Sequence, residues 1–404
     1  MTSRLVTVEP AQLLAIARDW SFWDAAPPAS VPREVRLPSE LRPDIALVIQ
    51  GVRRGGKSTL MQQLMAHYAL DRSTCLYLNF EDPRLSTALD YRTLDLVANA
   101  FEADRGNGTT YFLDEIQWVE GWQRWLRLQL DRPRNRRFVV TGSNAHLLSG
   151  ELGSTLTGRH HVVELFPFSF AEFRLARPGA TLADYLDAGG FPAAAFSPDR
   201  DMMLRGYFSD IIERDMRERV AARSALPLRK LVQMLYESAG SETSTRRLAA
   251  ALGLAPDTAG AYLDAAESAY LAIGASYFAY SARRQLGRNR KFYPVDPGLR
   301  RAVVTASGAD RGKQFECAAF LLLRRRFGTV HYWRGQGEVD FVVEHDGKAV
   351  PVQVSWTGPS ERHLSALDEF HAAHPHAAEA VMITPESFEA GVPELPASQE
   401  PAAP

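Results

Sequence analysis

The chain has 404 residues, is 46% hydrophobic and 23% charged, and carries a formal net charge of −2. This composition excludes a disordered or collagen-like chain, and at roughly 150 residues per domain the length implies two or three domains. The near-zero charge implies no global attraction to nucleic acid or membrane, which leaves only local basic patches, and two cysteines, Cys75 and Cys317, exclude a disulfide framework.

The N-terminus, MTSRLVTVEP, has no apolar signal-peptide core, and no run reaches the roughly 18 apolar residues of a membrane span. A cytoplasmic protein is expected. Of 46 basic residues only Lys57, Lys230, Lys291, Lys313 and Lys348 are lysines. A lysine is therefore informative here, and so is one missing where chemistry would want it. Residues 1–25 are read as an amphipathic helix with Leu13, Ile16, Trp20 and Trp23, and the prolines between 27 and 43 as an extended connector, making residues 1–44 an N-terminal segment. From Ile45 short apolar strands, IALVIQ (45–50), CLYLNF (75–80), TYFLDE (110–115) and FVVTGS (138–143), alternate with helical stretches. That alternation predicts a parallel α/β sheet over residues 45–175. Residues 176–239 are read as a helical lid or linker with an amphipathic helix at 207–220. Residues 240–303 read as two helices and a hairpin, and 310–385 as a second α/β unit. The Pro-, Ala-, Ser- and Glu-rich tail from Glu386 is read as disordered.

Gly51-Val52-Arg53-Arg54-Gly55-Gly56-Lys57-Ser58 fits the phosphate-loop pattern G-x-x-x-x-G-K-[ST] without a mismatch, after a strand and before a helix. Glycines there let backbone N–H groups wrap phosphates, and the helix N-terminus adds partial positive charge. Gly51, Arg53, Arg54, Gly55, Gly56, Lys57, Ser58 and Thr59 are the expected nucleotide contacts. Lys57 would bridge the β- and γ-phosphates and Ser58 would hold Mg²⁺. The strand Tyr111-Phe112-Leu113 ends in Asp114-Glu115. Asp114 would join the Mg²⁺ shell and Glu115 would polarise the attacking water. Ser143 or Asn144, at the end of the next strand, would orient that water or read the γ-phosphate; a plain polar strand cap is the alternative. Arg159 is either a surface arginine or one that stabilises transition-state charge in a neighbouring subunit.

The motifs GVRRGGKSTL, LNFEDPRL, FLDEIQ, TGSNAHLLSG, LTGRHHVVELFPFSFAEF, YLDAGGFP and RKFYPVDPGL occur in this order. Together they resemble a widespread prokaryotic family of AAA-plus ATPases with a C-terminal domain of unknown function, over residues 30–385. The resemblance implies Ser143 or Asn144 as the sensor, with Asn144 taken as the catalytic one. It also implies Arg159 acting in trans, a hexamer-like homo-oligomeric ring, and ATP with Mg²⁺ as cofactors.

TRRLAAALGL (245–254) and 255–272 read as helix–turn–helix, and 277–295 as a hairpin wing, giving a winged helix. The wing carries Arg283, Arg284, Arg288, Arg290 and Lys291, which would neutralise DNA phosphates. The second helix offers Asp257, Thr258, Gly260, Ala261 and Asp264 but no Arg, Lys, Asn or Gln, so sequence-specific reading of base edges is not expected. Non-specific backbone binding and a packing module both remain open. The last unit resembles the core of restriction-endonuclease-like nucleases, with Glu316 and Asp340 at the matching positions. Its third element reads Gln353-Val354-Ser355, so an amide replaces a carboxylate and serine replaces the lysine. A degenerate nuclease fold is expected, with a weak Mg²⁺-dependent nuclease using Glu316, Asp340 and Gln353 as the alternative. The whole chain reads as an oligomeric ATPase that couples hydrolysis to work on DNA. The rival is an ATP-set switch or scaffold that recruits a protein partner.

Overall fold

The computed structural model describes residues 9–85, 89–106, 109–132, 135–143, 156, 158–304 and 311–391. These fall into two units, residues 1–165 and 166–404.

In the first unit β1 (Ala46–Gly51), β2 (Cys75–Asn79), β3 (Thr110–Asp114), β4 (Arg137–Gly142) and β5 (His160–Leu165) form one sheet in the order β2-β3-β4-β1-β5. Every pairing in it is parallel. β1 and β3 are buried at every position, as strands covered on both faces must be. β5 was not among the expected strands. It lies at the sheet edge with Val162 49% exposed, so it lacks the continuous apolar run of its neighbours. Helices α1 (Pro10–Trp20), α2 (Lys57–His67), α3 (Tyr91–Arg105) and α4 (Trp122–Asp131) accompany the sheet.

The N-terminal segment is part of this unit. Leu13, Ile16 and Ala17 of α1 join the core. The Trp20 indole donates to Asp82 at 2.8 Å, and Trp23 donates to the Cys75 carbonyl at 2.7 Å while stacking on Phe101. The proline-rich connector runs along α2, where Gln63 donates to Val31 O and Tyr68 to Pro38 O. Arg33 donates to Gly55 O at 2.9 Å and so touches the glycine-rich loop.

In the second unit β6 (Glu242–Thr243), β7 (Ala272–Tyr277), β8 (Arg290–Pro294), β9 (His331–Arg334), β10 (Glu338–His345), β11 (Lys348–Val354) and β12 (Val381–Ile383) make one sheet, ordered β12-β11-β10-β9-β7-β8-β6. The expected hairpin, β7–β8, therefore does not stand apart. β7 pairs in parallel with β9, and the sheet runs across the segment between 303 and 310. The connection from β7 to β8 is not a bare loop either, because Ala282–Leu286 is a short helix.

Two further expectations are corrected. The helix read at 207–220 is α-helical only to Ile211 and continues as a π-helix over Ile212–Arg217. The tail read as disordered from Glu386 begins with a helix, Pro385–Glu389, because Phe388 packs between Phe170 and Phe315. The motifs YLDAGGFP and RKFYPVDPGL meet in this unit. Asp296 caps the helix Pro297–Val303 by accepting from Leu299 N at 2.7 Å, and it also accepts from Gly190 N. Gly189 sits at φ +73°, where a Cβ would lie 2.2 Å from Asp296 Oδ1. The glycine pair is thus required by close approach, and the motif's role here is packing.

Candidate functional site

Because the first sheet is parallel, the ends of β1, β3 and β4 open onto one edge, where ligands bind in open α/β sheets. Gly51 closes β1 against β5, since a Cβ there would lie 2.1 Å from Leu165 O. Gly56, at φ +99°, caps α2, and Lys57 is the first residue of that helix. Arg53 is ion-paired with Glu81 at 2.8 Å; Arg54 is exposed at φ +64°; Gly55 is buried; Thr59 is half-buried. The Lys57 side chain is only 4% exposed. Its Nζ donates to Gly51 O at 3.2 Å and Val52 O at 3.3 Å, and lies 3.3 Å from Glu115 Oε1.

Asp114 is completely buried. Three hydroxyls point at it: Ser58 Oγ at 2.6 Å, Tyr77 OH at 2.7 Å, and Thr141 Oγ1. Burial first, then the charge of Glu115, pushes the Asp114 carboxyl up, and the three hydroxyls partly offset that. Glu115 goes the other way. Burial alone would raise it, but Lys57, Gln117 and Arg53 outweigh burial and hold it below the ordinary range. Its backbone takes the left-handed conformation (φ +54°), and its N–H donates to Thr141 Oγ1 at 2.9 Å. Gln117 Nε2 donates to Glu115 Oε2. The edge thus offers a cation, a hydroxyl beside a buried carboxylate, and an ionised carboxylate that can accept a proton. The hard oxygen pair Ser58–Asp114, with its under-compensated negative charge, fits Mg²⁺, which takes one or two protein oxygens and fills its shell with water and phosphate.

Ser143 is buried at the end of β4. Asn144, the sensor position, lies outside the described residues. Arg159 does not join the site in its own chain. Its neighbour His160 pairs with Ala46, five strand positions before Gly51, which is roughly 17 Å of strand. There Arg159 pairs with Asp131 at 2.6 Å and donates to Leu130 O.

In the second unit Glu316 and Asp340 do come together. Burial first, then the charge of Glu316, pushes the Asp340 carboxyl up to about 7. Gln353 is tied to backbone: its Nε2 donates to Glu338 O, and its Oε1 accepts from Asp340 N. Ser355 donates to Gly358 O. The lysine missing at that position enters from elsewhere. Lys291 of β8 is 1% exposed, ion-pairs with Glu338, and acts electrostatically on both Glu316 and Asp340. Tyr293, two residues on, donates to Glu316 at 2.8 Å. An ammonium thus stands among the carboxylates, and no group of three His, Cys, Asp or Glu placed to hold a metal occurs among the described residues.

That burial corrects the reading of Lys291 as a DNA contact. Arg290 is half-buried and already paired with Glu267 at 2.8 Å. Arg283, Arg284 and Arg288 remain exposed. Sequence reasoning missed Tyr77, Thr141 and Gln117 around the carboxylates. Each had a faint signal as a polar group in or just after an apolar strand. Lys291 in the second cluster had only its rarity.

A family profile described as "AAA domain" matches residues 44–174, and two described as domains of unknown function, DUF8612 and DUF4143, match 179–310 and 311–394. The chain is 30% identical over 339 residues to an uncharacterized protein of Haemophilus influenzae, covering 79% of this chain and 84% of that one. It is 30% identical over 347 residues to an uncharacterized protein of Methanocaldococcus jannaschii, covering 78% and 76%. A chain solved as the crystal structure of Cdc6p from Pyrobaculum aerophilum overlaps 75% of this chain and 94% of its own at 12% identity, with a TM-score of 0.27, too low a score to support any argument. Among the described residues no helix is long and apolar enough to cross a membrane.

Proposed function

The chain belongs to the family of these AAA-domain relatives, and on that premise we propose that it is a Mg²⁺-dependent ATP hydrolase that works as a homo-oligomeric ring and couples turnover to DNA. The convergence of Lys57, Ser58, Asp114 and Glu115 on one sheet edge carries this reading. Backbone N–H groups from Gly55 to Lys57 wrap the phosphates, with Gly51, Arg53, Arg54 and Thr59 around them. Lys57 exchanges Glu115 for the β- and γ-phosphate oxygens, an exchange made easy by its two weak carbonyl contacts. Glu115, released from that ion pair and still held by Gln117, accepts the proton of the attacking water. Ser58 and Asp114 hold Mg²⁺, which neutralises phosphate charge when bound. Ser143 or Asn144 senses the γ-phosphate. Arg159, too far from its own loop, serves the neighbouring subunit's site. The buried free thiols Cys75 and Cys317 support a cytoplasmic location.

The test is steady-state ATP hydrolysis with and without DNA at two salt concentrations. Glu115→Gln should bind ATP and lower turnover by a factor on the order of 100 or more; wild-type turnover in that variant removes Glu115 as the base. Arg159→Ala should lose turnover but keep ATP binding. A wild-type rate would return it to a surface arginine paired with Asp131. Hydrolysis indifferent to any DNA would favour the ATP-set scaffold for a protein partner.

A further inference from the structure

Tyr280 follows β7 and is 70% exposed, unusual for a large aromatic in an ordered connection. Its ring is held from below by Phe278 at 5.3 Å and His374 at 5.6 Å, tilted 73° and 70°. His374 is itself packed on Phe370 and Trp333, so the platform is anchored in the core of this unit. Burial lowers the His374 pKa, which favours the neutral ring. Beside Tyr280 lies a cleft of about 280 Å³ whose polar lining is Ser281, Arg284, His374 and His376, with no acidic side chain. Such a volume is at the small end of ligand pockets.

Arg284 lines the cleft, and Arg283 and Arg288 lie on the same connection. Arg283, Arg284 and Arg288 are exposed, and among the described residues none pairs with a carboxylate. Arg288 is laid over the Tyr277 ring at 5.1 Å, and Leu286, on the same connection, is 87% exposed. The helix Pro256–Ser268, which a duplex-reading winged helix would present to a groove, instead exposes Asp257 and Asp264. Those carboxylates repel phosphates. A duplex also hides the base faces that an exposed tyrosine can stack upon, whereas an unpaired base offers one.

We propose that this cleft is a single-stranded nucleic-acid site in which Tyr280 stacks an unpaired base and Arg283, Arg284 and Arg288 take the flanking phosphates. The proposal rests on the DNA coupling put forward above and gives it a substrate class. Single strands of any sequence can stack there, because every base has a face to offer Tyr280.

Fluorescence anisotropy of the full chain with a labelled oligothymidylate, against a hairpin duplex of equal charge, tests it. The oligothymidylate should bind more tightly than the duplex. Tyr280→Ala should weaken it roughly tenfold, and Tyr280→Phe should not. Changing Arg283, Arg284 and Arg288 to Ala together should reduce the slope of log affinity on log salt by roughly 2. Tyr280→Ala binding like wild type would overturn the proposal, as would a duplex bound as tightly as the single strand. Tyr280 is exposed and outside the ATP site, so Tyr280→Ala should keep basal hydrolysis. Hydrolysis without oligonucleotide binding would sink this site and leave the ATPase standing. Tyr280-dependent binding without hydrolysis would do the reverse.

Discussion

Lys57 and Lys291 are both buried beside carboxylates, yet their surroundings differ in what each lysine can do. Lys57 stands at the start of α2, held by two carbonyls at 3.2 and 3.3 Å and by Glu115 at 3.3 Å. All three contacts are long. Lys291 lies inside β8, paired with Ala275 of β7 on one side and Glu242 of β6 on the other. Its side chain is 1% exposed and packed among Glu338, Glu316 and Asp340, so it has no route to an incoming ligand. The surplus negative charge is also handled differently. Around Asp114 three hydroxyl donors partly offset it, whereas Asp340 accepts from Val354 N and its carboxyl is pushed further, up to about 7. A cation on a helix start can change partners; one locked between two strands serves as a fixed counter-charge.

The sharpest way to break this contrast is to remove each lysine. Lys57→Ala should lower kcat/KM for ATP by a factor on the order of 100 to 1,000 and, with one buried carboxylate left without its counter-charge, cost less stability than Lys291→Ala. Lys291→Ala strands buried carboxylates and should lower stability by about 3–5 kcal/mol, read by urea denaturation. Equal destabilisation by the two would end the distinction. A smaller effect is expected from Asp340. Burial, then Glu316, raises its carboxyl to about 7, so from roughly pH 4 up to that value the folded chain keeps a proton the unfolded chain has lost. Stability must fall as pH rises through that window. Asp340→Asn should flatten the fall, matching wild type near pH 4 and exceeding it near pH 8 by on the order of 1–3 kcal/mol, measured by thermal melts at both pH values. Smallest of all, Thr141→Val removes one of three donors to Asp114 and the acceptor of Glu115 N–H. A loss of about 1 kcal/mol in stability is expected, with a several-fold fall in turnover. No change in turnover would place Thr141 outside the chemistry.

The phosphate loop and Asp114-Glu115 were legible because both are local: glycines, a lysine and two acids at fixed spacing along strand ends. Strands β1 to β4, including the edge strand β2, were legible as continuous apolar runs, and β5 was not, because His160, His161 and Glu164 interrupt its apolar residues and leave it half exposed. The shell around the carboxylates was hidden for a different reason. Tyr77, Thr141 and Gln117 acquire their roles only when β2, β3 and β4 are laid side by side. Lys291 is the extreme case, 25 residues before Glu316 and 49 before Asp340 in the chain. It belongs to a basic run whose members the fold divides, sending Arg283, Arg284 and Arg288 out and Lys291 in.

The parallel pairing of β7 with β9, with Ser276 opposite His331 and Tyr277 opposite Tyr332, has a consequence for how this protein can be cut or inherited. The junction at 310/311, where one matched profile gives way to the next, falls in the crossover between two strands of a single sheet. A gene severed there would yield two fragments, each with a bare row of backbone donors and acceptors where its partner had been. Such edges invite aggregation. The two segments are therefore structurally one part, and neither is expected to fold well without the other.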